Sequence, residues 1–318
     1  MYPIAAMLNS LVLYRYSLIL ALAAAAGICC FMACCCHQKI PCRQGAAVSL
    51  ISLILSLLFS RLVYWYGRPD SFTSLFQALL SRSTETLALT GCFAGCGLAA
   101  LFLGKQAGRR KILDCMCVAG CAAISLGRLA CFFSETNRGQ VMTTLTGIPW
   151  AYPVATISGG LEYRFATFLF QAMAAAVLGI FLAVIFFRKK RQPGEVTLLF
   201  LLCYSATQII LDSTRYDSLY LRSNGFVSMV QVLSAVALVG VVVLLCIRTA
   251  KILSIRKWMV PVWIALAGLF GGVGYMEYYV QRHGREAAFS YTIMGICLTS
   301  IVALGLILWN ISRTSAKE

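Results

Sequence analysis

Charged side chains are scarce in this sequence, at 12% of its 318 residues, whereas a soluble globular protein carries about 25%. Hydrophobic residues make up 60% of the chain, and the mean hydropathy is +0.82. This shortage of charge excludes an ordinary soluble enzyme. It also excludes an intrinsically disordered chain, which combines high charge with low hydrophobicity. The composition is that of a membrane protein.

Proline is also scarce, with 7 residues, and no proline-rich linker or low-complexity tail divides the chain. Mostly apolar runs have the length of about 20 residues that a transmembrane helix needs. They cover roughly residues 17–36, 46–66, 87–104, 112–133, 165–187, 196–212, 226–247, 258–280 and 288–310. We therefore predict an all-α, polytopic helical membrane protein with about nine transmembrane helices, in which residues 1–318 form a single membrane domain.

Acidic residues are few, 11 Asp and Glu against 27 Lys and Arg, so the formal charge is +16. The charges alternate between two sets of connecting segments. One set, which includes the C-terminal tail, holds 16 of the 27 basic residues, every Lys and three acidic residues, so its net charge is +13. The positive-inside rule predicts that this set is cytoplasmic, with the N-terminus outside and the C-terminus inside. Topology and anionic headgroups then explain the positive charge, and no nucleic-acid partner is expected.

Lysine is missing from the opposite set, whose 11 basic residues are all Arg and are accompanied by eight acidic residues. A guanidinium group presents a planar fork that can bind a phosphate with paired hydrogen bonds, whereas an ammonium group acts as a point charge. Arg at a helix end can equally extend toward lipid headgroups and do nothing more. A function for the outer arginines therefore requires that several of them cluster.

Histidine is rare, with 2 residues, and no pair among the 15 cysteines has the spacing of a zinc site. We expect no metal and no cofactor at the functional site. Most cysteines lie within the predicted spans, where Cys behaves as a small apolar residue. The densest stretch, residues 29–37, lies at the predicted cytoplasmic end of the first span, and metal binding or palmitoylation stays open there.

Two polar segments, residues 127–140 and 204–231, interrupt the apolar pattern at the predicted outer side. Ionisable side chains at membrane depth are costly and usually face protein or a cavity. The outer loop between the last two spans also carries charges, at Glu277, Arg282 and His283. A lone His among loop charges is more often solvated than catalytic, so we assign His283 no catalytic role.

The second polar segment places Tyr204, Gln208 and Asp212 four residues apart, so they share one face of a helix, with Arg215 one turn beyond. Hydrogen bonds between helices explain the amide and hydroxyl groups of these segments. They explain the charged groups less well, because a charge needs a partner or water. An ion pair of Arg128 or Arg215 with Asp212 is the purely structural alternative.

The order of motifs resembles that of the prolipoprotein diacylglyceryl transferases. The strongest match is Gly-Arg-Leu-Ala-Cys-Phe at residues 127–132, which is similar to the family signature Gly-Arg-(Ile or Leu)-Gly-Asn-Phe. Further similar motifs occur in family order at residues 15–18, 61–64, 113–114, 204–215 and 228–234, and of the family motif that would fall near 164–171 only Arg164 and Leu169 are present. The resemblance covers roughly residues 11–247 and implies a seven-helix transferase core, followed by two additional transmembrane helices at 248–318.

This resemblance implies an enzyme that transfers the diacylglyceryl group of phosphatidylglycerol to the lipobox cysteine thiol of a preprolipoprotein. It implies a multi-pass protein of the bacterial cytoplasmic membrane, in contact with membrane lipids, whose site faces the outer side. Some family residues are replaced: Thr90 stands for His, Cys131 for Asn and Gln208 for Arg. A catalytically inactive factor on the same fold, which binds a lipid or a lipoprotein, is therefore the alternative. A small-solute transporter ranks last, because the sequence lacks paired spans interrupted by Gly or Pro.

The reaction needs a thiolate nucleophile and cations that stabilise the departing glycerol phosphate. Arg128 is our first candidate for the phosphate, with Arg164 and Arg215 in support. Glu135 and Asp212 are the candidate bases. The complete prediction comprises the catalytic residues Arg128, Glu135, Asp212 and Tyr204 and the substrate-binding residues Tyr16, Arg61, Arg138, Arg164, Gln208, Arg215 and Gln231.

Overall fold

The computed structural model describes residues 4–8, 11–81, 83–105, 108–142, 151–155, 160–188, 191–221, 224–253, 259–283 and 287–314. Most of these residues are helical. The helices are α1 (Arg15–His37), α2 (Cys42–Gly67), α3 (Leu75–Leu80), α4 (Leu89–Leu103), α5 (Arg109–Leu129), α6 (Thr167–Phe186), α7 (Glu195–Ser213), α8 (Met229–Leu253), α9 (Met259–His283) and α10 (Ala287–Thr314). The strands are β1 (Ile4–Leu8), β2 (Leu11–Tyr14), β3 (Ala151–Ala155), β4 (Leu161–Phe165), β5 (Tyr220–Leu221) and β6 (Asn224–Ser228).

The nine predicted spans each correspond to one of these helices, so the prediction of an all-α, polytopic membrane protein is confirmed. Within the described residues, eight helices are long and apolar enough to cross a membrane. The remaining one, α4, is apolar but has only 15 residues. Which end of each helix faces the cytoplasm stays a prediction.

The sequence analysis did not predict the short helix α3 or the three two-stranded sheets of the described residues, which pair β1 with β2, β3 with β4 and β5 with β6. Strands β3 and β4 pair with Ala151 opposite Phe165 and Ala155 opposite Leu161. The segment after α5 extends along β4, where Val141 bridges Arg164 and the backbone N–H of Met142 donates to the carbonyl of Tyr163 at 2.9 Å. This pairing brings the loop after α5 to the residues that lead into α6.

The chain divides into two compact units by its internal contacts. The N-terminal unit comprises Met1–Thr197 and Thr214–Gly225, and the C-terminal unit comprises Leu198–Ser213 and Phe226–Glu318. Most of α7 therefore belongs to the same unit as α8, α9 and α10. The interpretation of residues 1–318 as a single membrane domain stays a prediction.

Close packing of α2 on α4 depends on two glycines in the N-terminal unit. Gly91 and Gly95 are one turn apart on α4, and a Cβ on either would lie 2.3–2.6 Å from backbone atoms of α2. Small residues at this spacing let two helix backbones approach closely in a membrane, where lipid supplies no hydrophobic drive for association. The absence of side chains at Gly91 and Gly95 thus determines how closely α4 packs against α2.

A buried carboxylate holds the start of α7 against α5. Asp114 is fully buried and forms an ion pair with Arg191, whose Nη1 lies 2.7 Å from Asp114 Oδ2. Asp114 also accepts hydrogen bonds from the backbone N–H groups of Gly194 at 2.8 Å and Thr197 at 2.9 Å. These N–H groups have no partner within the helix, so an anion here satisfies them and complements the helix dipole.

The C-terminal unit is held together by an apolar core from all four of its helices. Its buried members include Leu202, Leu238, Leu266 and Ile301, one each from α7, α8, α9 and α10. Gly305 on α10 lets Leu202 of α7 pack closely against it, because a Cβ at residue 305 would lie 2.8 Å from the Leu202 side chain. The two helices beyond the transferase-like region are therefore packed into one core with α7 and α8.

We expect Asp114→Ala to destabilise the protein strongly. The change leaves Arg191 without its buried partner, and breaking a buried ion pair in this way costs about 3 kcal/mol or more. The measurement is the thermal unfolding midpoint of the purified protein in detergent. Asp70→Ala is the control, because Asp70 is exposed in a short turn after α2. Equal unfolding midpoints for the two variants would contradict a stabilising role for the buried ion pair between Asp114 and Arg191.

Candidate functional site

The loop that follows α5 forms the framework of a polar site in the N-terminal unit. After α5 the chain makes a short 3-10 turn, Ala130–Phe133, and then the segment 134–142. Asn137 adopts a left-handed backbone conformation with φ of 58°, which Asn tolerates better than most residues. Its carbonyl accepts a hydrogen bond from the N–H of Phe168 at 3.2 Å, so the loop is fastened to the start of α6.

Asn137 also fixes the orientation of Arg128. Its Oδ1 accepts a hydrogen bond from Arg128 Nη1 at 2.5 Å, and its Nδ2 donates to Cys131 Sγ at 3.3 Å. Among the described residues, Asn137 is the one hydrogen-bond partner of the Arg128 side chain. The guanidinium of Arg128, which is half-buried, therefore keeps further N–H groups for a ligand.

Asp217 joins this loop to the segment that follows α7. Its Oδ2 accepts from the backbone N–H of Asn137 at 2.8 Å, and its Oδ1 forms an ion pair with Arg215 Nε at 3.0 Å. Burial alone would raise the pKa of Asp217. The charge and hydrogen bond of Arg215, the Asn137 N–H and the charge of Arg128 outweigh burial, so the pKa lies below its ordinary value.

Arg138 is the most buried of the arginines here, at 2% exposure. Its Nη2 donates to the carbonyl oxygens of Cys131 at 2.8 Å and Ser134 at 2.7 Å, and its guanidinium lies 4.5 Å from the ring centre of Phe168. These contacts brace the loop from within. The predicted role of Arg138 in substrate binding stays a prediction.

Arg164 lies on β4 beside the same loop. It forms an ion pair with Glu162 at 2.7 Å, and its guanidinium lies 4.0 Å from the ring centre of Tyr216. Gly139 and Arg215 form an isolated antiparallel β-bridge. The backbone N–H of Tyr216 donates to the carbonyl of Arg138 at 3.2 Å. The four residues Arg128, Arg138, Arg164 and Arg215, which we call the arginine cluster, therefore meet around residues 137–139.

Three other predicted residues of this unit lie in different surroundings. Tyr16 interacts with Thr136 and packs against an apolar cluster that includes Cys131. Arg61 is buried, and its hydrogen bond is with Thr86 Oγ1 and not with the arginine cluster. Glu135 is exposed. Tyr16 thus borders the cluster, whereas Arg61 lies elsewhere in α2.

A second group of predicted residues lies in the C-terminal unit. Tyr204, Gln208 and Asp212 are all buried, as expected for a polar helix face turned toward protein. The ring of Tyr204 stacks on Phe200 at 5.0 Å between ring centres. Asp212 accepts a hydrogen bond from Ser228 Oγ.

Gln231 extends this second group through α8. Its Oε1 accepts from the backbone N–H of Ser228 at 3.0 Å. Its Nε2 donates to the carbonyl of Ile209 at 3.3 Å and to Glu277 Oε1 at 2.9 Å. Gln231 therefore joins α7, α8 and α9 by hydrogen bonds.

Sequence reasoning missed three residues that organise these sites: Asn137, Asp217 and Glu277. The first two were read only as polar loop residues, although Asn is a frequent choice where φ is positive, and that preference was a usable signal. Glu277 was expected in an outer loop. That expectation is wrong, because α9 continues to His283 and Glu277 is buried within it.

We expect Gly139→Ala to disrupt the loop. A Cβ at this position would lie 2.7 Å from Phe165 Cβ and 2.8 Å from Thr167 Oγ1, too close for either to remain in place. Overpacking of this kind costs about 2 kcal/mol, which a thermal unfolding measurement in detergent would detect. Gly97→Ala is the matched control, since nothing lies within 4 Å of a Cβ there.

We also expect the stability that Asp217 contributes to depend on pH. Its pKa is lower in the folded protein than in the unfolded chain, where Asp titrates near 3.9. The contribution is therefore complete above that value and is lost as pH falls through the lower, folded pKa. Unfolding midpoints measured from pH 3 to 7 should show the wild type approaching Asp217→Asn at the acidic end. A constant difference between the two would contradict the ion pair.

Comparison with known proteins identifies relatives of the region that extends from the N-terminal strands into α8. The family model for prolipoprotein diacylglyceryl transferase matches residues 3–247. The phosphatidylglycerol–prolipoprotein diacylglyceryl transferase of Finegoldia magna is 23% identical over 192 residues, which is 59% of this chain and 74% of that protein. The enzyme of the same name from Clostridium botulinum strain 657 is 23% identical over 241 residues, 74% of this chain and 95% of its own.

A shorter similarity exists to the phosphatidylglycerol–prolipoprotein diacylglyceryl transferase of Vibrio vulnificus strain YJ016. It is 29% identical over 160 residues, which is 49% of this chain and 57% of that protein. The family match leaves out residues 248–318, which contain α9 and α10. The resemblance seen in the motifs is confirmed: because the family model covers well over half of its length, the chain belongs to the prolipoprotein diacylglyceryl transferase family.

Proposed function

We propose that this multi-pass membrane protein is a phosphatidylglycerol–prolipoprotein diacylglyceryl transferase of the bacterial cytoplasmic membrane, with the arginine cluster at the outer face. Its substrates are phosphatidylglycerol and the lipobox cysteine of a preprolipoprotein. The observation that carries the proposal is the convergence of four arginines around one loop, in a chain of this family.

The reaction exchanges one bond at a glycerol carbon. The cysteine sulfur attacks the carbon that bears the phosphate ester, the C–S bond forms, and the C–O bond to the phosphate breaks. Glycerol phosphate leaves with the electron pair of that bond, and the thiol proton passes to a base. The protein must therefore stabilise negative charge on the phosphate and accept a proton.

Arg128 is the residue best placed for the phosphate. Asn137 holds one of its Nη groups, which fixes the plane of the guanidinium and leaves the other N–H groups to donate. Arg164 is paired with Glu162 and Arg215 with Asp217. Their positive charges are therefore largely neutralised, and their role is to support Arg128 rather than to bind the phosphate themselves. A cation oriented in advance stabilises developing charge without reorganisation during the reaction.

Two carboxylates are proposed as the base. Glu135 lies two residues from Asn137 in the same loop and is exposed, so it can take up a proton and release it to water. Asp212 is buried in the C-terminal unit and hydrogen-bonded to Ser228. Glu135→Gln and Asp212→Asn, compared at saturating phosphatidylglycerol, assign the base to whichever substitution lowers kcat more.

A catalytically inactive factor that binds lipid or lipoprotein is the second candidate. The observation that favours it is the replacement of two charged or titratable family residues, by Thr90 and Gln208. Binding of phosphatidylglycerol without turnover would support this candidate.

We expect Arg128→Ala to lower diacylglyceryl transfer at least about 100-fold, since removal of one group that stabilises transition-state charge has an effect of this size. The assay follows labelled diacylglycerol from phosphatidylglycerol to a lipobox peptide in membranes that contain the protein. Arg43→Ala is the matched control, because Arg43 is exposed in the first turn of α2. No labelling above empty-vector membranes by the wild type would exclude the transferase.

A further inference from the structure

Helix α9 supplies a buried carboxylate to the polar group of the C-terminal unit, although it lies beyond the region that matches the family. Glu277 is 7% exposed and lies in the last two turns of α9. Burial of a carboxylate among apolar helices is costly unless it is hydrogen-bonded or has a function. Its partners therefore indicate why it is there.

One oxygen of Glu277 binds two amide groups. Oε1 accepts from Gln231 Nε2 at 2.9 Å and from Gln281 Nε2 at 3.0 Å. Gln281 is one turn further along α9, so that bond stays within the helix. Gln231 belongs to α8 and to the transferase-like region. The other oxygen, Oε2, is buried and has no partner among the described residues.

The bond to Glu277 determines which way the amide of Gln231 points. Because Nε2 donates toward Glu277, Oε1 is turned to the opposite side, where it accepts from the backbone N–H of Ser228. Ser228 Oγ then accepts from the backbone N–H of Gln231 at 3.1 Å and donates its own proton to Asp212. A continuous path of hydrogen bonds runs from Glu277 through Gln231 and Ser228 to Asp212.

We infer that Glu277 is a positioning residue for Asp212, and that the two-helix extension therefore contributes to the function of the polar group on α7. This inference rests on the proposed function, in which Asp212 is a candidate base. Glu277 acts through Gln231 and Ser228 and does not touch the reacting atoms. The extension thus contributes a functional group to α7 in addition to its apolar packing.

Three variants of the full-length protein test this inference. Glu277→Met removes the acceptor at similar size, Glu277→Gln keeps one carbonyl acceptor, and Gln281→Met removes the donor that lies outside the path to Asp212. The first measurement is kcat and KM with phosphatidylglycerol and a lipobox peptide. The second is the infrared carboxyl signal of Asp212, identified by subtracting the spectrum of Asp212→Asn, which requires no turnover.

We expect Glu277→Met to shift the infrared signal of Asp212 and to lower kcat about tenfold, the effect of one hydrogen bond in a charged network. The effect on kcat should exceed any effect on KM, because the inference places the loss at Asp212, a candidate base. Glu277→Gln should restore most of kcat, and Gln281→Met should match the wild type in both measurements.

The inference is overturned if Glu277→Met leaves the Asp212 signal unchanged, or if it shifts the signal without lowering kcat in an active protein. It is also overturned if Gln281→Met reproduces the loss, since a general weakening of α9 would then be the cause. If the wild type transfers no diacylglycerol, the proposed function fails. The infrared comparison still decides whether Glu277 positions Asp212.

Discussion

The carboxylate of Asp217 is the group on which the arginine cluster depends. One of its oxygens binds Arg215 and the other binds the backbone N–H of Asn137, so it joins the segment after α7 to the loop after α5. Asn137 in turn holds Arg128. Guanidinium groups brought together in surroundings of low dielectric repel one another strongly, and an anion that is itself hydrogen-bonded to the loop offsets that repulsion. Asp217 therefore both offsets part of the positive charge of the arginine cluster and holds the backbone of the loop at Asn137.

The spans could be predicted from the sequence because the signal is local: about 20 apolar residues in succession suffice, whatever surrounds them. Arg128 was recognisable for a similar reason, since it interrupts an apolar helix within a short motif. Asn137 and Asp217 could not be found in this way, because their importance comes from a contact between positions 80 residues apart. Glu277 was misplaced because a charged residue near the end of an apolar run is typical of a loop, and its burial and its bond to Gln231 depend on helices that are distant in sequence.

The signature motif lies against an amide from the loop that follows it. Cys131 stands where the family signature has an amide side chain, yet an amide is present beside it, because Asn137 Nδ2 donates to its sulfur at 3.3 Å. The loop between them makes the tight turn that this contact requires, with Asn137 at positive φ. The amide of Asn137 therefore lies beside the position where the family signature has an amide side chain.

The short helix α4 has a consequence for the lipid around the protein. Its 15 residues rise about 22 Å, against about 30 Å for the hydrocarbon layer, a hydrophobic mismatch of about 8 Å. The polar residues that precede α4 are bound to protein side chains: Thr84 to Ser17 at 2.8 Å, and Glu85 to Ser134 at 2.9 Å. These bonds fasten the segment before α4 to α1 and to the loop after α5. A helix of this length spans the hydrocarbon layer only if the bilayer thins beside it or its polar flanking residues enter the hydrocarbon, so α4 makes local bilayer thickness a property of this fold.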